Sequence, residues 1–161
     1  MPFERSILVV SAVATLAFLG AGLHAFLAPP SDDMRLHILL TLGAVLLIVF
    51  PHLWTAIYLL ATGRAMRLEP GEEAADAARA SRRHLWRALP AMLLASLGAF
   101  ATIAVGQGIL AGSNAPWHHV AAFAATVAFQ LWALVAGRRA LVANARLLDG
   151  LDASSIAAPG R

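Results

Sequence analysis

The chain has 161 residues, 60% of them hydrophobic and 13% charged, with a mean hydropathy of +0.72. Soluble domains average roughly 45–50% apolar and about 25% charged, so the composition argues against a soluble enzyme domain, a disordered segment and a nucleic-acid-binding module. The basic residues are all Arg, the net charge is only +3, and no cysteine is present, which excludes disulfides, Cys-ligated zinc and iron–sulfur clusters.

Four runs lack Asp, Glu, Lys and Arg: 6–27, 36–63, 88–111 and 117–137. Each meets the requirement of about 20 apolar residues for a helix crossing a hydrocarbon core of roughly 30 Å. None alternates apolar and polar residues as a spanning strand would. The first run is longer than a signal-peptide core, Phe26 stands where a small residue is required, and Pro29 and Pro30 follow at once. It reads as a retained helix.

The segment from Ala28 to Asp33 breaks the first helix and offers an N-cap to the second. Pro51 falls inside the second run, where it removes a backbone donor. Residues 64–87 read as a polar loop, with a short solvated helix from Glu72 to Arg83 whose acids Glu72 and Asp76 precede Arg79 and Arg83 at pairing distances. Gly112 to Pro116 breaks the third helix. Residues 151–161 read as a flexible tail.

Charge sets the expected orientation. Arg5, the six arginines from Arg64 to Arg87, and Arg138, Arg139, Arg146 and Arg161 fall on one side; Arg35 alone falls on the other. The positive-inside rule then places both termini and the 64–87 loop in the cytoplasm. The expected fold is an all-α up-down four-helix transmembrane bundle, a single domain over 1–150, multi-pass in a bacterial inner membrane.

Histidine is the only side chain in the spans that titrates near neutral pH. His24, His37, His118 and His119 come from three helices and share one depth, near the outer face. Imidazole binds zinc, copper and iron, and is the axial ligand of b-type haem. His24, His37 and His119 form the expected cofactor set, and His37, His119 and His118 the expected metal set. His119 is the inward member of its pair, because Gln130 follows 11 residues later on nearly the same helical face. Thr41 and Gln107 lie close in depth.

His52 follows Pro51 deep in the second span. It lies 15 residues after His37, about 22 Å along the axis and about 60° around it. This spacing resembles that of cytochrome b proteins, which hold two stacked haems between paired histidines. The resemblance implies His52 as a second haem ligand. It covers one spacing on one helix, and no partner histidine exists at that depth. The other reading gives His52 a bond to Thr55, Ser11 or a backbone carbonyl.

Together these features lead to one expectation: a small inner-membrane protein that binds haem b, or a copper or zinc ion, near the outer face. Its use would be electron transfer or a place in a redox complex, with quinone as a partner. The alternative is a non-catalytic accessory or scaffold subunit of a larger membrane complex. The small residues of the first and third spans, among them Gly20, Gly22, Gly98 and Gly106, suit close packing within the bundle, in a homo-oligomer or against another subunit.

Overall fold

The computed structural model describes residues 2–27, 34–110, 112 and 115–157. They form four helices: α1 (Pro2–Leu27), α2 (Met34–Leu68), α3 (Glu72–Leu110) and α4 (Pro116–Ala157). Each contains a stretch long and apolar enough to cross a membrane.

The helices outrun the apolar runs. The segment expected as a loop from 64 to 87 contracts to three residues, Glu69, Pro70 and Gly71. The polar helix beginning at Glu72 is not separate; it continues into the third span through Pro90. The tail is likewise helical as far as Ala157. Hydropathy marks where a bilayer would end, whereas propensity marks where a helix ends. The Ala- and Leu-rich sequence at 72–89 and 138–151 has no reason to unwind in water. The α2–α3 break is set by Pro70 and by Gly71, whose φ of 113° suits only glycine. The Gly71 carbonyl then accepts the Ala75 N–H at 3.3 Å as α3 begins. The expected N-cap before α2 lies outside the described residues.

At the start of α4, Pro116 occupies the first helical position, where its missing N–H costs nothing. The Ala115 carbonyl accepts the His118 N–H at 3.0 Å, and the Ala115 N–H donates to His118 Nδ1 at 3.1 Å. This is a reciprocal cap with His in place of the usual Glu or Gln.

Consecutive helices contact each other, α4 also contacts α1, and α2 meets α4 across the middle; α1 and α3 make no such contact among the described residues. Contacts between packed helices run in opposite order. On α3 and α4, Met92 lies by Gly137, Thr102 by Thr126 and Gly106 by His119. On α1 and α4, Thr15 meets Gln130, while Gly22 meets Phe123. Small residues permit this closeness. A Cβ at Gly22 would fall 2.2 Å from the Phe123 ring, and one at Gly98 would fall 2.8 Å from Thr126 Oγ1.

Two apolar clusters fill the membrane-length part. One is built on Phe18, Val45, Ile48 and Ala99, the other on Leu59, Leu85, Met92 and Ala133. Leu, Val, Phe and Trp side chains on all four helices point outward.

Candidate functional site

The interior carries a seam of polar side chains. Ser11, Thr15, His52, Thr55, Thr102, Thr126, Gln130 and Asn144 are all buried. In hydrocarbon an unpaired polar group is costly, and the local solution is visible first. The hydroxyls of Ser11, Thr15 and Thr55 each donate to the carbonyl four residues back, at 2.7–2.8 Å; those of Thr102 and Thr126 lie 2.9 and 2.8 Å from theirs, and one of the two donates to the other instead. Their lone pairs remain free to receive a second partner.

That partner comes from another helix. Gln130 Nε2 of α4 donates to Thr15 Oγ1 of α1 at 3.1 Å. Asn144 Nδ2 of α4 donates to Thr62 Oγ1 of α2 at 2.9 Å. Thr102 and Thr126 hydroxyls meet at 2.9 Å between α3 and α4. His52 Nδ1 lies 3.1 Å from Ser96 Oγ, joining α2 to α3. Four pairs thus tie the helices at successive depths. Some valences stay open: His52 Nε2, His119 Nδ1, Gln130 Oε1 and Asn144 Oδ1 are buried with no protein partner.

The histidines take different roles. His52 Nδ1 lies 3.1 Å from Ser96 Oγ of α3, a partner other than the Thr55, Ser11 or backbone carbonyl of the alternative sequence reading. His118 caps α4 through Nδ1 and lies against Trp117, ring centroids 3.8 Å apart and planes tilted by 39°. His119 lies over Gly106, where a Cβ would fall 3.2 Å from its ring. His24 lies on α1 two residues beyond Gly22, the glycine that receives Phe123. The His37 side chain lies outside the described residues, so the expected set of His24, His37 and His119 is not assembled on the described side chains. Among the described residues no group of three or more His, Cys, Asp or Glu is placed to hold a metal ion.

At His52 one ring nitrogen is engaged by Ser96, and the residue lines a cavity of about 10 Å³, about the space of one water. Outside the apolar spans, His84 has a pKa held below its ordinary value, first by partial burial and then by Arg87 and Arg83.

Ser96, Ser11, Thr15, Thr102, Thr126 and Asn144 escaped the sequence reading as site residues. The signal was present: an isolated hydroxyl or amide inside an apolar run marks the face that meets another helix. The rotation of one helix against the next, which pairs them, is not readable from a single chain.

The sequence matches no protein-family model, and neither a curated protein nor a solved structure matches it. The fold itself defines a class: a helical chain with four membrane-length helices and an apolar interior crossed by polar pairs.

Proposed function

We propose that this chain is a non-catalytic accessory or scaffold subunit of a larger membrane complex, or of a homo-oligomer, in a bacterial inner membrane. It forms an up-down four-helix bundle with both termini in the cytoplasm. The opposite-order contacts between neighbouring helices support the up-down arrangement, and eleven of twelve arginines on one side support the orientation.

One observation carries the reading. Four pairs of polar side chains, His52–Ser96, Thr102–Thr126, Thr15–Gln130 and Thr62–Asn144, link the helices along the bundle. A transport path or cofactor site converges several open ligands on one point; these links are spread along the bundle. The broad face left for contact is the outer apolar surface, with Trp54, Trp86, Trp117 and Trp132 exposed on it. Aromatic residues are enriched at protein interfaces.

A second reading rests on His119, whose Nδ1 is buried without a protein partner. It proposes zinc or copper at the outer end, held by His119 with His24 and His37.

The test is native mass determination after gentle extraction, with elemental analysis and an absorption spectrum before and after adding haemin. The scaffold reading expects a defined assembly heavier than the 16.9 kDa chain, colourless and metal-free. A monomer carrying one equivalent of metal would replace it with the second reading. A Soret band with reduced α and β bands would overturn the scaffold reading in favour of a cytochrome.

A further inference from the structure

Beside His52 lies a cavity lined by Ser11 of α1, Thr55 of α2, Met92 of α3, and Gly137 and Arg138 of α4. Its volume is about 10 Å³, the threshold at which a cavity accepts a single water. His52 is 8% exposed, and its Nε2 is buried with no protein partner. Nδ1 is engaged by Ser96, which does not line the cavity, so Nε2 is the nitrogen available to it. A wholly apolar void of this size stays empty, but this one, mostly apolar, also has His52, Ser11 and Thr55 on its lining, enough for the roughly three hydrogen bonds a buried water typically makes.

We propose that this cavity binds one water molecule, held by His52, Ser11 and Thr55. The donor and acceptor inventory closes. The Ser11 and Thr55 hydrogens are directed to the carbonyls of Ile7 and Pro51, so both oxygens offer lone pairs to the cavity. The Ser96 hydroxyl donates to His52 Nδ1, which leaves the imidazole neutral with its proton on Nε2. The water accepts from Nε2–H and donates one hydrogen to each hydroxyl oxygen. It links α1 to α2 at the level where Pro51 has removed a backbone donor from α2, and it satisfies the orphaned nitrogen of His52. The ligand class is a neutral, water-sized hydrogen-bonding molecule.

The test is ¹⁵N-histidine NMR of the full chain in lipid nanodiscs, with transfer between water and the ring protons, in H₂O and D₂O. The expected result is a neutral His52 with an Nε2–H signal and a cross-peak to a long-lived water. In the Ser11→Ala/Thr55→Val variant that cross-peak disappears while the other histidine signals stay in place. Because Gly137→Ala adds its Cβ 3.5 Å from the Met92 methyl, it narrows the cavity at ordinary contact distance and is expected to lose the cross-peak in a folded bundle. A folded wild type with no water transfer to His52 would overturn the proposal. So would a cross-peak that survives unchanged in Ser11→Ala/Thr55→Val.

Discussion

The same three helices carry two opposite exteriors. In the membrane-length part of α2, α3 and α4, polar side chains such as Gln130 and Thr126 are buried while Leu97 and Phe100 face outward. Beyond it, where α2 ends and α3 begins, Met66, Ala77 and Ala78 pack against Leu147, Leu148 and Leu151, and Arg64, Glu72, Asp76, Arg82 and Arg146 are exposed. One helix passes from one regime to the other without a break. The backbone is indifferent to the change; the surrounding solvent decides which face is outside. In water, burial of apolar area drives the packing. In lipid that drive is absent between helices, and close packing with interhelical hydrogen bonds takes its place.

Moving a charge between the two regimes gives the largest contrast. Leu97 is 63% exposed and Leu68 79% exposed, so packing is not the difference between them. Leu97→Arg is expected to cost about 2.5–3.5 kcal/mol, the insertion penalty near a span centre. Leu68→Arg, in the water-exposed part, should stay within about 0.5 kcal/mol of wild type. Membrane insertion assays on the pair read the difference.

Overpacking the membrane part comes next. Gly22→Leu drives a side chain into the Phe123 ring, which is itself stacked on Phe18 at 5.2 Å and has little freedom to yield. A loss of about 1–3 kcal/mol is expected, whereas Gly150→Leu meets nothing within 4 Å of its Cβ and should leave thermal stability in detergent unchanged.

The polar links are individually modest. Thr102→Val removes the bond to Thr126, but Thr126 keeps its bond to the Ala122 carbonyl, so no orphaned donor remains. The expected loss is about 0.6 kcal/mol and no more than about 1.7 kcal/mol, read by unfolding in mixed micelles. The exposed Asp76–Arg79 pair in the water regime falls in the range of about 0–1 kcal/mol typical of surface pairs.

The smallest effect is acid sensitivity at His84. Its folded pKa lies below the ordinary histidine value of about 6.5, so the unfolded chain takes up protons first as pH falls. The stability tied to this residue is complete above 6.5 and declines as pH drops below it. A melting temperature followed from pH 7.5 to 5.0 should show a shallow decline that His84→Gln reduces.

The four spans were legible because apolar runs of this length have one solution in lipid. Their extensions were not, since the turn at Glu69, Pro70 and Gly71 is the sole interruption between 34 and 110 and charge alone does not end a helix. Helical periodicity put Gln130 on the face of His119, and Gln130 is fully buried. The partner of His52 did not follow, because Ser96 reaches it from another helix 44 residues away. His118 became a cap through contacts within four residues, a local pattern masked by the interest of two adjacent imidazoles.

The absence of native cysteine allows the central claim, two regimes along one set of helices, to be read directly. Single substitutions Leu68→Cys, Asp152→Cys and Leu97→Cys would be probed with a membrane-impermeant maleimide in right-side-out and inverted vesicles. The account predicts labelling of Leu68→Cys and Asp152→Cys in inverted vesicles alone, and no labelling of Leu97→Cys in either. Aqueous labelling of Leu97→Cys, or labelling of Leu68→Cys and Asp152→Cys from opposite sides, would contradict it.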